Sequence, residues 1–364
     1  LEDEGLGDIA GRIVSDEAGT DTGGLKEREM QYRSGFKKFE GKIYLPKFVV
    51  QETESWRNLN FEVDILSDID WEDINIDEIQ NLSLQNKLSK EQEIVLGLSH
   101  EEQELLKETG RAEKTGTLEI DEVFLTRQIT EIVPNPWYCF QIGKKAIDLL
   151  QTKYDREMVA TNFVFIIEEL KKVLDKERNR LSEQVFRKMI TDKKLCFFLI
   201  ENKGGLVLPS RIKVKSNKQL VRNDNTPIQK SLFDYVPEEN INDLEKSVAI
   251  YLDEQEKLLW WYRNMSRQDY HIQGWKRNKI YPDFLLADKH ESKDDYGTVY
   301  VLETKGIHLK NEDTKYKQDV FALCNELGAK KAWKELFDEF PDHDFQFQVV
   351  FEDEWQTKIN ELMA

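Results

Sequence analysis

Between Lys279 and Gly306, two apolar runs are separated by a polar, turn-rich loop, and this stretch constrains the fold more than any other. The first run, Lys279 to Ala287, carries Asp283 directly after Pro282. The second, Thr298 to Lys305, ends in Glu303, Thr304 and Lys305. Both read as strands. Side chains alternate between the faces of an extended strand. Val299, Val301, Glu303 and Lys305 therefore share one face, and Thr298, Tyr300, Leu302 and Thr304 share the other. A carboxylate and an ammonium stand side by side at a strand end, and pairing of the two runs brings Asp283 to them.

These residue types suit metal-assisted phosphodiester chemistry. Magnesium takes oxygen ligands, usually one or two carboxylates completed by water and substrate phosphate. Asp283 and Glu303 supply the carboxylates, and the main-chain carbonyl of Thr304 can add a ligand. Lys305 can orient or deprotonate the attacking water, or stabilise a pentacoordinate phosphate. The competing reading is an exposed ion pair at a strand end, worth only ~0–1 kcal/mol. Glu-x-Lys by itself says little, because it recurs at Glu40–Lys42, Glu169–Lys171, Glu201–Lys203 and Glu291–Lys293. Glu201–Lys203 also ends an apolar run, but no Pro-Asp strand precedes it.

The flanks add to the pattern. Lys257, Arg263, Arg267, Lys276, Arg277 and Lys279 enclose a single acid, Asp269, with Trp260, Trp261, Tyr262, Tyr270 and Trp275 interleaved. Such a run can hold phosphates and stack bases. For the tryptophans a core role is the better reading; for Arg263, Lys276 and Arg277 a phosphate role is. Glu245 sits on a helical pattern before the strands, at the border of its apolar face. It can reach the metal, or serve as a solvated acid near a helix start, where the dipole favours it. Lys315 and Lys317 open the helical pattern after Gly306.

Along the chain, residues 1–40 are acidic and Gly-rich and read as a linker. Residues 41–230 read as a mixed, mainly helical domain. Strands are expected at 42–51, 59–66, 195–200 and 205–214, and helices at 120–132, 137–154 and 156–192. In the last of these, Phe163, Ile166, Ile167 and Leu170 form a core-facing stripe. The polar stretch 216–230 is the expected boundary. Residues 231–364 then read as an α/β domain: helix 241–256, strands 258–262, 279–287 and 298–305, helices 314–327 and 330–340, strand 344–351 and a short closing helix.

Composition sets outer limits. With 39% hydrophobic residues the chain can bury a real core, and its 364 residues suit two domains. A net charge of −18 excludes nucleic-acid binding by bulk charge, so any such site must be local. Cys139, Cys196 and Cys324 are scattered and odd in number, which fits a reducing cytoplasm rather than a disulfide framework or zinc site. No apolar run approaches the ~20 residues of a membrane span, so no membrane partner is expected. There is no phosphate-binding Gly-x-x-x-x-Gly-Lys-Ser/Thr loop. The chain begins at Leu1 and is expected to be a piece of a longer protein.

Asn264, the run Tyr281-Pro282-Asp283-Phe284, the run Leu302-Glu303-Thr304-Lys305-Gly306 and the pair Tyr316-Lys317 together resemble the PD-(D/E)xK nuclease superfamily. More narrowly, they resemble the C-terminal endonuclease region of type III restriction enzyme Res subunits and related helicase–nuclease proteins. The likeness is specific over about 240–325. Upstream it is looser, resting on Lys42-Ile43-Tyr44-Leu45-Pro46 and Ile132-Val133-Pro134-Asn135-Pro136-Trp137. It implies a central mixed sheet flanked by helices, preceded by a mostly helical domain with a few strands. It implies catalytic Asp283, Glu303, Lys305 and Glu245, with Asp283, Glu303, Thr304 and Glu245 toward Mg2+ (Mn2+ as substitute). Arg263, Lys276, Arg277 and Lys317 are the expected DNA contacts. The implied partners are double-stranded DNA, the helicase/ATPase region of the same full-length protein, and a DNA methyltransferase subunit. The alternative is a non-catalytic scaffold that contacts DNA and couples such a motor to a methyltransferase.

Overall fold

The computed structural model describes residues 25–53, 55–84, 120–198, 207–239, 241–265, 269–292, 294–309, 311–330 and 344–364. The chain divides into two compact units. One comprises Leu1–Lys47, Phe197–Ile272 and Ile280–Ala364; the other comprises Phe48–Cys196 and Gln273–Lys279. Each is therefore discontinuous in sequence, which a division at 40 and 230 does not capture.

The first unit is built on a four-stranded mixed sheet. Strand β6 (Leu258–Arg263) pairs antiparallel with β7 (Phe284–Lys289), β7 antiparallel with β8 (Tyr296–Lys305), and β8 parallel with β9 (Phe345–Phe351). The alternation of β8 works as the sequence implies. Tyr300 and Leu302 join a core with Trp261, Phe284 and Leu286, against helix α5 (Asp243–Glu254) through Val248, Ala249 and Leu252. Helix α7 (Trp355–Leu362) closes this layer through Ile359. Val299, Val301 and Glu303 fall on the opposite face. Helix α6 (Glu312–Lys330) packs against β9, with Phe321 and Phe347 ring centroids 5.7 Å apart. A Cβ on Gly297 would collide with the Asp288 carboxylate and push it from the Thr298 amide that donates to it.

Two expectations for this unit need correction. The linker expected over 1–40 is structured from residue 25. Strand β1 (Glu27–Gln31) pairs antiparallel with β5 (Arg211–Lys215), and Met30, Tyr32 and Phe39 are buried. Nor is 216–230 the boundary between the units, since residues 197–272 lie within one of them. Leu220 and Ile228 are fully buried in the sheet's core, and Asp253 binds the segment through Arg222 and the amides of Gln229 and Lys230. Its polar composition reflects main-chain groups pinned to a buried acid, which a scan for linkers cannot distinguish from solvation.

The second unit is mainly helical: α1 (Glu122–Ile129), α2 (Pro136–Gln151), α3 (Arg156–Thr161) and α4 (Phe163–Thr191). The Pro134–Pro136 punctuation does end one helix and start the next, with Asn135 capping α2 and Pro136 in its first turn. A Cβ on Gly143 would lie 3.0 Å from Leu125 Cδ2, so α1 and α2 cross closely there. The stripe Phe163, Ile166, Ile167 and Leu170 is buried as expected. The helix expected over 156–192 breaks at Asn162, between α3 and α4. A small sheet of order β3-β2-β4 accompanies them, built from β2 (Lys47–Gln51), β3 (Trp56–Asn58) and β4 (Leu195–Phe198).

The strand expected over 59–66 is a pair of helical turns. Asn60 caps it by accepting from the amides of Glu62 and Val63, and Phe61 and Ile65 are buried while Val63 is 61% exposed. Burial at i and i+4 is helical spacing; the apparent alternation counted Val63 as apolar without its being internal. The helix expected over 330–340 and the Glu201–Lys203 copy of the motif lie outside the described residues.

Candidate active site

Antiparallel pairing aligns the end of β6 with the start of β7 and the end of β8. Arg263 pairs with Phe284, and Phe284 with Leu302. Asp283, one residue before β7, donates its amide to the Leu302 carbonyl at 2.9 Å. The acids and cations of the motif region are thereby sorted by strand and helix rather than by distance in sequence.

Asp283 is held by its neighbour. Oδ2 accepts from both the amide and the hydroxyl of Thr304, each at 2.7 Å. A strand residue directs its N–H and C=O to the same side, so the Thr304 carbonyl lies on the Asp283 side of β8. Asn264 fixes the other flank. It is fully buried, its Nδ2 donates to the carbonyls of Tyr270 (2.9 Å) and Pro282 (2.8 Å), and its amide donates to the Asp283 carbonyl (2.9 Å). Sequence reasoning gave Asn264 no physical role; an amide side chain directly after an apolar strand is the signal that could have found it.

Glu303 is 2% exposed. Its Oε1 accepts from Lys305 Nζ at 2.8 Å and from Lys317 Nζ at 2.9 Å. Its Oε2 is buried and has no hydrogen-bond partner. Lys317 reaches it from α6, which covers this face of the sheet. Lys317, expected as a DNA contact, is thus a constituent of the acid cluster itself. Burial, and after it the Asp283 charge, raises the Glu303 carboxyl above its ordinary range against the pull of the two lysines. Burial works to lower the Lys317 ammonium, but the Glu303 charge and hydrogen bond outweigh it, and Lys317 is raised.

Glu245 approaches from α5, the opposite side of the sheet. It is 7% exposed and completes a capping box with Asn242. Its contact with the site runs through Arg263, whose Nη2 lies 2.7 Å from Glu245 Oε2 and 3.9 Å from Asp283 Oδ1. The solvated-acid reading of Glu245 therefore fails. Burial raises its carboxyl, Arg263 opposes this, and Asp283 adds to it. Arg263, expected as a phosphate contact, is committed to these two acids.

Lys276 and Arg277 belong to the second unit, where Arg277 Nε is 2.7 Å from Glu62 Oε1. Arg267 lies outside the described residues. Trp260, Trp261, Tyr262, Tyr270 and Trp275 are all at most 3% exposed and are core residues, as preferred for the tryptophans.

Glu245, Asp283 and Glu303 are thus matched by Arg263, Lys305 and Lys317. Among the described residues, no three carboxylate, imidazole or thiolate side chains converge as a metal cage. Two carboxylate oxygens are nonetheless loosely engaged: the partnerless Glu303 Oε2, and Asp283 Oδ1, which lies 3.9 Å from Arg263 Nη2. These two and the Thr304 carbonyl are all oxygen donors. That suits magnesium, which keeps waters and substrate oxygens and does not need a full protein cage. Among the described residues, no helix is long and apolar enough to cross a membrane.

Comparisons of the chain with protein-family models, with curated proteins and with solved structures return no match.

Proposed function

We propose that the end of β6, β7 and β8 is the active site of a magnesium-dependent endonuclease of the PD-(D/E)xK type, hydrolysing phosphodiester bonds in double-stranded DNA. The observation that carries this reading is Glu303: a buried carboxylate with two lysines on one oxygen and nothing on the other, beside Asp283. Buried polar atoms without partners are uncommon, and each calls for an explanation. An incoming cation is the simplest one here.

Asp283 Oδ1, Glu303 Oε2 and the Thr304 carbonyl would hold the metal, with Glu245 acting through Arg263. When bound, a divalent cation supplies Lewis-acid stabilisation of the phosphate and a more acidic water. The protein's own groups do the rest. Thr304 and Asn264 fix Asp283 without a moving part, which keeps the site preorganised. Lys305 and Lys317 place two ammonium groups where negative charge grows on the phosphate oxygens. Lys305 also orients the attacking water. The wider assignment, to a type III restriction-like helicase–nuclease with a methyltransferase partner, is supported by the motif resemblance alone, and a cytoplasmic location by the three scattered cysteines.

Incubation of the purified chain with supercoiled plasmid and Mg2+ tests the reading. Nicked and linear products are expected, abolished by a chelator. Lys305→Ala should slow cleavage by about 100-fold or more, the scale of losing one positioned charge-stabilising group. Equal cleavage by native chain and Lys305→Ala would contradict the assignment. A native chain that leaves plasmid intact even when joined to an ATPase region would favour the scaffold reading.

A further inference from the structure

The acid cluster has a neighbour that its chemistry does not use. A cavity of 270 Å³ lies against the edge of β6, within the same unit. Its floor is buried and includes Met30, Ser231, Phe233 and Tyr262; its rim is half-exposed and includes Tyr235, Ile241, Arg263 and Met265. Among the described residues, Arg263 is the single charged one lining it.

We infer that this cavity is a nucleobase subsite, which receives a base of the strand whose phosphate lies at Asp283 and Glu303. The inference rests on the phosphodiester reading of that cluster. Three properties select the occupant. First, the walls are aromatic and thioether with scattered hydroxyls, the surroundings in which a flat heterocycle stacks and finds hydrogen bonds. Second, apart from Arg263 the described walls carry no charge, so they suit a neutral ring and repel neither its phosphate nor its sugar. Third, Arg263 belongs both to the cavity and to the acids, standing 3.9 Å from Asp283 Oδ1. An occupant covalently linked to a phosphate at the acids would pass this one guanidinium. A base taken from a duplex must leave its stack, a cost that a preformed aromatic pocket offsets. Apolar pockets with a few polar groups are the usual form of a small-molecule site.

The five methionines make the test direct, because Met30 and Met265 line the cavity and Met158, Met189 and Met363 do not. The chain labelled with 13C at the methionine methyls is titrated with deoxynucleoside 5′-monophosphates and, as control, with abasic deoxyribose 5-phosphate. The expected result is saturable movement of the Met30 and Met265 signals with nucleotides but not with the abasic sugar phosphate, the other three remaining still. Ile241→Trp, which fills the rim, should weaken the response about tenfold or more, the loss expected for one stacked base. Movement with both ligands alike, or with neither, overturns the subsite. The readout needs no cleavage and no metal. Nucleotide-selective shifts in a chain that leaves DNA intact would keep the cavity and discard the nuclease, whereas cleavage without such shifts would do the reverse.

Discussion

Two buried acids in the same unit are treated in opposite ways. Asp253, at the end of α5, is 1% exposed and saturated with donors: Arg222 Nε at 2.6 Å, the Lys230 amide at 2.6 Å, the Gln229 amide at 3.0 Å and Trp261 Nε1 at 3.2 Å. Both of its oxygens are engaged. Glu303, at the end of β8, is 2% exposed, and one of its oxygens has two ammonium partners while the other has none. Burying a charge costs free energy unless it is paired and hydrogen-bonded. Asp253 meets that condition completely and fastens the 222–230 segment to the sheet. Glu303 meets it halfway. Of the two, the incomplete one has the environment of a ligand, and the complete one that of a structural anchor.

The contrast is sharpest in isosteric variants that remove charge but keep shape. Asp253→Asn presents an amide NH2 to a shell made wholly of donors, leaving buried N–H groups unpaired. A loss of about 3–5 kcal/mol of stability is expected, the cost of breaking one side of a buried ion pair. Glu303→Gln keeps a carbonyl oxygen for Lys305 and Lys317, and its NH2 replaces an oxygen that had no donor to lose. The expected change is about 1 kcal/mol or less, in either direction. Urea denaturation of both variants reads this directly; equal losses would erase the distinction between anchor and ligand.

A smaller effect lies in pH. Glu303 is raised in the folded chain, so the native state holds this proton more tightly than the unfolded state does. Stability is therefore gained as pH falls through the raised native value, and the cost is fully present above it. Without metal, the stability of Glu303→Gln relative to the native chain should rise from mildly acidic to neutral pH. A difference independent of pH across that range would mean that Glu303 carries no burial cost.

The same comparison marks what the sequence could reveal. Asp283, Glu303 and Lys305 were legible because strand alternation and one hairpin pairing suffice to bring them together. Both are local rules, and the described strands β6 to β9 obey them. Lys317 was visible only as a cation on a following helix; its place on Glu303 depends on α6 packing over β8. Arg263 looked like a phosphate contact because its acid partners are 18 and 20 residues away in sequence. The 216–230 segment looked like a domain boundary because its fastening point, Asp253, is remote. Composition detects polarity, but whether a polar group faces water or a buried partner is decided by tertiary packing.

Mn2+ binding followed by isothermal titration calorimetry on the full chain, without DNA, tests the central claim most directly. The account predicts binding to the native chain that Asp283→Ala and Glu303→Ala each weaken at least about tenfold, as loss of groups at a metal site does, while Lys276→Ala in the second unit leaves it unchanged. Indistinguishable titrations for the native chain and both acid variants would contradict it.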